Sequence, residues 1–172
     1  MRCRGEMSQT VAVEVSVVCD AWLAACPDAP ALAEAAVRAA LAGAACRGDG
    51  ASVVVDVTLG DDAGQRRLNR IWRSKDMPTN VLAFPLADAV APTPAGMPVL
   101  LGDVVLAFET VAREAAEQDK KLADHLVHLV VHGVLHLLGF DHQSEPEAAL
   151  MEAREAEILA PLGVPDPYRD TM

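Results

Sequence analysis

Four of the five histidines in this 172-residue chain lie between Leu126 and His142, in a stretch that is otherwise mostly aliphatic. His128, His132 and His136 recur every four residues, so on a helix they lie along one stripe. Imidazole is a common zinc ligand, with Zn–N bonds of ~2.0–2.1 Å. Because His128 and His136 would be about 12 Å apart along a helix axis, all three cannot bind one ion. One neighbouring pair must therefore be completed by a ligand from outside the helix.

Gly139 indicates which pair is completed. It lies three residues after His136, where a left-handed conformation can end a helix and turn the chain back, bringing His142 toward His132 and His136. Three neutral imidazoles leave a fourth tetrahedral position for water, which is the arrangement of catalytic rather than structural zinc. The spacing therefore predicts one Zn²⁺ ion per chain, held by His132, His136 and His142. Ni²⁺ is an alternative, because it also accepts imidazole.

The spacing H-x-x-x-H-x-x-G-x-x-H is similar to that of the metzincin metalloproteases, with one important difference. Those enzymes have a glutamate directly after the first histidine as general base, and here that position is Gly133. Peptide hydrolysis by that mechanism is therefore not expected. Zinc alone lowers the pKa of a bound water toward ~7, so a nucleophile does not require that carboxylate.

The charge of the chain is unevenly distributed. The net charge of −11 argues against indiscriminate binding to nucleic acid. A short cationic run nevertheless contains Arg66, Arg67, Arg70, Arg73 and Lys75, whereas acidic residues are concentrated from 141 to 157. This pattern fits a positive surface on a negative protein, and the plainer alternative is a solvated helix face.

Hydrophobic periodicity and turn residues predict an α+β fold in which one domain spans residues 1–172. Strands are expected at 11–18, 52–59, 81–84 and 99–107, the last of them broken at Gly102-Asp103. Helices are expected at 31–45, from Asp61 or Asp62 to 72, and at 110–118, 122–138 and 145–160. Leu68 and Ile71 should face inward on the second helix. Ser144 and Glu147 form a capping-box pattern before the last one. The small mixed sheet would be packed by these helices.

A cytoplasmic location is expected from the rest of the sequence. No apolar run reaches the ~18–20 residues needed to cross a bilayer, and the N-terminus does not resemble a secretory signal. Cys3, Cys19, Cys26 and Cys46 form no C-x-x-C pair and are expected to be free thiols.

Two long motifs and two short ones resemble the bacterial YbeY endoribonuclease family. Residues 132–142, H-G-V-L-H-L-L-G-F-D-H, match its metal-binding motif, and residues 68–85, L-N-R-I-W-R-S-K-D-M-P-T-N-V-L-A-F-P, match a second motif. The short matches are L-G-D at 101–103 and D-P-Y at 166–168. The chain departs from the family pattern at Trp72, Asn80 and Ala83, where Tyr, Asp and Ser are common.

The resemblance implies a zinc-dependent, single-strand-specific endoribonuclease that acts in ribosomal RNA maturation, including the 16S 3′ end, and in ribosome quality control. It also implies a mixed sheet with a metal-bearing helix, and it places the functional arginine of the family at Arg73. In this hypothesis Arg73 binds the non-bridging phosphate oxygens, and either zinc hydroxide or the 2′-hydroxyl of the RNA is the nucleophile. Candidate partners are a small-subunit ribosomal protein and a ribosome-assembly GTPase. Neither DNA nor a membrane is an expected partner.

Two other functions remain open from the sequence. One is a zinc hydrolase of another substrate, either a peptide or a phosphoester. The other is a non-catalytic ribosome-associated module in which zinc holds the fold together. The roles of Lys75, Asp103 and Asp141 are also open, while His128 is expected in the core or behind the metal ligands and His125 at the surface.

Overall fold

The computed structural model describes residues 10–44, 52–86 and 97–169, and these form one mixed sheet with helices packed against it. The spatial order of the strands is β1-β2-β4-β3. β1 is parallel to β2 and β2 to β4, whereas β3 is antiparallel to β4. The strands are β1 (Val11–Val17), β2 (Val53–Gly60), β3 (Val81–Pro85) and β4 (Val99–Ala107). The α+β fold with a mixed sheet is therefore confirmed.

The helices occur in the order expected from the sequence, with one addition. A short helix precedes the first predicted one, and its Trp22 donates from Nε1 to the carbonyl oxygen of Gly60 at 2.9 Å. The helices are α1 (Ala21–Ala25), α2 (Ala29–Gly43), α3 (Asp62–Arg73), α4 (Phe108–Glu117), α5 (Leu122–Leu137) and α6 (Glu145–Leu159), followed by a 3₁₀ turn (Ala160–Leu162). None of the helices in the described ranges is long and apolar enough to cross a membrane.

The main core lies between α2, α5 and one face of the sheet. Alternate residues of β2 are buried there, as the strand pattern requires, and α5 is buried on most of its surface. At Gly133 the helix approaches β4 so closely that an added Cβ would lie 2.7 Å from Cγ1 of Val104. A residue without a side chain is therefore needed at that contact. α5 is the central helix, and the core holds it along most of its length.

The buried side chains of α3 are polar, and they bind the sheet and the loop after the helix. Gln65 donates from Nε2 to the carbonyl oxygen of Val105 at 3.0 Å, and Asn69 donates from Nδ2 to that of Met77 at 2.8 Å. Ile71, expected to face inward, is 64% exposed, so that prediction was wrong. The reason is that Gln65 and Asn69 occupy the buried face of the helix and fix its rotation.

β4 is continuous through Gly102-Asp103, where the sequence predicted a break. Its register against β2 shifts between Val54 and Val55, so the feature is a β-bulge within the strand. Gly102 has φ +143°, and an added Cβ would lie 2.1 Å from the carbonyl oxygen of Phe84. Glycine thus bends this strand without ending it.

The cysteine prediction is confirmed where it can be compared. Cys19 and Cys26 are free thiols. Burial raises the pKa of the Cys26 thiol, which keeps it protonated. Cys3 and Cys46 lie outside the described residues.

Candidate metal centre

The end of α5 brings the three predicted histidines together. The N–H of Phe140 donates to the carbonyl oxygen of Leu135 at 3.0 Å, and the N–H of Gly139 donates to that of His136 at 3.1 Å. These two bonds form a Schellman motif, which Gly139 permits with its φ of +97°. The chain then reverses toward the last turns of α5. The ring centroid of His142 lies 5.6 Å from that of His132 and 5.0 Å from that of His136.

The donor atoms of this group suit a single ion. Nε2 of His132 and Nε2 of His136 are 3.1 Å apart, and one nitrogen from each of the three rings lies within 4.8 Å of the others. Two nitrogens bound to a tetrahedral zinc ion are separated by about 3.4 Å, given the usual Zn–N bond length. His132 and His136 are half-buried and His142 is exposed, so the group has one side toward solvent.

His136 is held in the neutral form that binds metals. Burial lowers the pKa of this imidazole, and the neighbouring His132 and His142 lower it further. A neutral imidazole keeps one nitrogen lone pair free for coordination.

A buried glutamate behind His132 was missed by the sequence analysis. Glu155 on α6 is 0% exposed, and its carboxylate accepts a hydrogen bond from Nδ1 of His132. It also accepts from Nε2 of His128 at 3.3 Å and from the Tyr168 hydroxyl. Burial alone would raise the pKa of Glu155, but these donors outweigh it and hold the pKa at about 2. One sequence signal could have found this residue, because it is an acid on the apolar stripe formed by Met151, Ile158 and Leu159.

The other histidines of α5 lie along the same side of the helix. His125, expected at the surface, is 4% exposed and its Nε2 lies 2.9 Å from Oε2 of Glu114, so that prediction was wrong. It is buried because α4 packs over the first turn of α5. His128 is mostly buried, with its ring edge-on to Tyr168 at a centroid distance of 5.8 Å. It therefore contacts Glu155 behind the predicted ligands, which is one of the two positions that the sequence left open for His128.

Asp141 and Asp103, whose roles the sequence left open, have different surroundings. Asp141 accepts from the backbone N–H of its neighbour His142 at 2.7 Å, which shapes the turn after Gly139. Asp103 pairs in register with Asp56 on the neighbouring strand. Burial raises the pKa of Asp103, and the charge of Asp56 raises it further. Neither aspartate belongs to the groups of donors that could hold a metal ion in the described residues.

The cations of α3 and the loop after it fall into two sets. Asp76 forms ion pairs with Arg66, at 2.7 Å, and with Arg70, at 3.2 Å. Arg67, Arg73 and Lys75 are exposed and form no ion pair with the residues that the structure describes. Arg73 is the last residue of α3 and is not part of the histidine group.

An aromatic side chain stands among these cations. Trp72 is 68% exposed, and its only ring contact within the described ranges is Phe84, at a centroid distance of 6.2 Å. Ile71, next to it in the sequence, and Met77, five residues later, are also exposed. We call the exposed residues Arg67, Ile71, Trp72, Arg73 and Lys75, at the end of α3 and just after it, the α3 surface.

A cleft of about 310 Å³ lies beside the histidine group. His132 and Tyr168 are in its wall, together with Asn80, whose amide donates to Glu114 at 3.0 Å. Arg73 is not among the residues that line it. The cleft gives a ligand access to the side of His132.

Comparisons with known proteins converge on one family. The family model described as Endoribonuclease YbeY matches residues 28–163. A relative from Paramagnetospirillum magneticum, named Endoribonuclease YbeY, is 54% identical over 94% of this chain and 98% of its own length. One of the same name from Azorhizobium caulinodans is 53% identical over 91% of this chain and 95% of its own. The solution structure of TM1509 from Thermotoga maritima has the same fold, with a TM-score of 0.51, 22% identity and coverage of 94% of this chain and 97% of that one.

Proposed function

The chain belongs to the endoribonuclease YbeY family, and on that premise we propose that it is a zinc-dependent, single-strand-specific endoribonuclease. The observation that carries the proposal is the convergence of His132, His136 and His142 at the reversed end of α5. Three imidazoles with one side toward solvent match a catalytic zinc site, because a structural site is normally closed by four protein ligands. Nickel would also accept this donor set.

The residues of the histidine group would hold the ion through ring nitrogens. When bound there, the ion supplies Lewis acidity toward a phosphate oxygen and lowers the pKa of water. The chain itself keeps His136 neutral and directs Nε2 of His132 toward it, with Nδ1 engaged by Glu155. Gly133 leaves no carboxylate at the general-base position of the metalloproteases, which disfavours a peptide substrate.

The α3 surface is the proposed contact for RNA. Arg73 would bind the non-bridging phosphate oxygens, since a guanidinium offers two parallel donors and remains charged. Arg67 and Lys75 would attract the strand, and exposed Trp72 would stack on a base, as aromatic residues do in proteins that bind single strands. Arg66 and Arg70 contribute less in this proposal, because Asp76 already pairs with them.

We place the substrate in ribosomal RNA, including the 3′ end of 16S RNA, with roles in maturation and quality control in the cytoplasm. The net charge of −11 gives the protein an average field that repels RNA. Binding to ribosomal RNA would therefore be helped by contacts with partner proteins. A small-subunit ribosomal protein and a ribosome-assembly GTPase are the proposed partners. The proposed partners include neither DNA nor a membrane surface.

The test compares two arginines on one helix. Arg73→Gln should lower kcat/KM on single-stranded RNA about 10²–10³-fold, as loss of one charge-stabilising donor does in other enzymes. Arg66→Gln, the matched control, should change it less than about fivefold, because Asp76 already pairs with Arg66. His132→Ala should remove cleavage. If Arg73→Gln and His132→Ala both cut RNA like the parent, a contaminating nuclease explains the activity and the proposal fails.

A substrate panel separates the alternative hydrolases. Zinc-loaded protein should cleave single-stranded RNA, and neither a peptide nor a small phosphoester should be cut at a comparable rate. Cleavage of either of those substrates in preference to RNA would favour the alternative zinc hydrolase.

A further inference from the structure

Tyr168 lies on the C-terminal segment that follows the 3₁₀ turn, yet its hydroxyl reaches the carboxylate behind His132. We propose that Tyr168 is a positioning residue for the metal centre and that it acts through Glu155. The inference rests on the proposed function, because it assumes the zinc ion proposed there. It also gives the D-P-Y motif at 166–168 a role. It concerns how the chain orders its own ligand, independently of which RNA is cut.

The two oxygens of Glu155 have separate tasks. Oε1 accepts from Nδ1 of His132, and Oε2 accepts from Tyr168 and from His128. Glu155 is fully buried when Tyr168 is in place, so its oxygens depend on these protein donors rather than on solvent. With Oε2 held by two donors, the plane of the carboxylate is fixed, and Oε1 is fixed with it. The orientation of the His132 ring follows.

That orientation selects the tautomer of His132. A carboxylate at Nδ1 requires the proton there and leaves the lone pair on Nε2, the atom that lies 3.1 Å from Nε2 of His136. Carboxylates behind ligating histidines raise the basicity of the ligand and fix its ring, and their loss typically costs 10–100-fold in metal affinity.

Local contacts hold Tyr168 in place. Its backbone N–H donates to Oδ1 of Asp166 at 2.9 Å, and its ring packs edge-on against His128. Upstream, Val164 is buried and its N–H donates to the carbonyl oxygen of Leu159 at 3.2 Å. The end of α6 and the tyrosine are therefore connected by an ordered segment, and the hydroxyl is presented to Glu155 from outside the core.

The experiment measures zinc affinity of the full chain by competition with a chromogenic chelator, at a temperature where each metal-free variant is shown to be folded. Tyr168→Phe removes only the hydroxyl and should weaken zinc binding about 5–10-fold, below the loss expected for Glu155→Gln. Glu157→Gln, an exposed acid on the same helix, is the matched control and should leave affinity unchanged. The double variant should bind no more weakly than Glu155→Gln alone, because Tyr168 acts through that carboxylate.

A spectroscopic measurement separates positioning from general destabilisation. In ¹⁵N NMR of the imidazoles, the proton of His132 should reside on Nδ1 in the parent and exchange between the two nitrogens in Tyr168→Phe. Zinc binding within twofold of the parent, an unchanged His132 tautomer, or additive losses in the double variant would each overturn the proposal. So would a parent that binds no zinc.

These readouts do not depend on RNA. A parent that binds zinc and responds to Tyr168→Phe but cuts no RNA would refute the proposed function and leave the positioning role standing. If the parent cuts RNA and Tyr168→Phe leaves the zinc affinity unchanged, only the positioning role is refuted.

Discussion

At the scale of single residues, Gly139 determines where the third histidine lies. Its φ of +97° costs an ordinary L-residue about 1–2 kcal/mol, although an added Cβ would meet nothing within 4 Å. Gly139→Ala should therefore lower the free energy of unfolding by about 1 kcal/mol without a steric clash. It should also weaken zinc binding, because any relaxation of the turn moves His142 away from the pair on α5. Thermal unfolding and chelator competition measure the two effects.

Gly163 supplies the control for this substitution. It also has a positive φ, +74°, and open space where a Cβ would be, but it follows the 3₁₀ turn rather than α5. Gly163→Ala should cost a similar free energy of unfolding and leave the affinity for zinc as in the parent. Equal losses of zinc affinity in both variants would show that the turn after α5 has no special role.

His125 should make stability depend on pH below about 6.5, its ordinary pKa. Burial lowers its pKa in the folded protein, even though Glu114 partly opposes this, while the unfolded chain titrates near its ordinary value of ~6.5. On acidification the unfolded state therefore binds a proton first, and the free energy of unfolding falls as the pH drops below that value. His125→Gln should flatten this slope in denaturant titrations of the metal-free protein. An identical slope in the variant would contradict the assignment.

At the scale of secondary-structure elements, the contact of α5 with β4 depends on a missing side chain. Gly133→Ala would place a Cβ 2.7 Å from Val104 and should cost about 1–3 kcal/mol of unfolding free energy through overpacking. Val104→Ala opens a cavity and is destabilising for the opposite reason. The double variant should lose less than the sum of the two, with a coupling of about 1 kcal/mol in a double-mutant cycle. Strictly additive losses would mean that the helix and strand are not in direct contact there.

The elements that the sequence predicted best have local signals. The alternation in β1 and β2 and the capping box of α6 are set by neighbouring residues, so their bounds agree with the structure to within about two residues. The proximity of the three histidines has a local signal too, because the four-residue spacing and Gly139 act within about two turns of helix, whereas their role as metal ligands stays a prediction.

The features that were missed depend on contacts between distant residues. Glu155 gains its role from side chains 13 to 27 residues away. Ile71 is exposed because Gln65 reaches β4, 40 residues later in the chain. His125 is buried by α4, and α1 is only five residues long, too short to show a helical period. The position of Arg73 relative to the histidines is likewise a tertiary property that spacing cannot supply.

At the scale of the whole molecule, the apolar core packs along most of the helix that would carry the proposed metal ion. Ten residues of α5 are buried, and they pack with α2 and the sheet. Only the end of the helix and the turn after it carry the ligands. This separation fits the proposed catalytic site rather than a zinc ion that holds the fold together, because domains of the second kind unfold when the metal is removed.

Removal of metal should therefore abolish RNA cleavage before it disturbs the fold. After chelation, the far-UV circular dichroism should be retained and unfolding should remain cooperative. The free energy of unfolding should fall only by what ligand binding adds, about 2.7 kcal/mol at a zinc concentration 100 times the dissociation constant. His142→Ala, which changes an exposed ligand, should behave like the chelated parent in both measurements. Loss of helical signal on chelation, restored by zinc, would instead indicate that the ion holds the fold together and would favour the non-catalytic module.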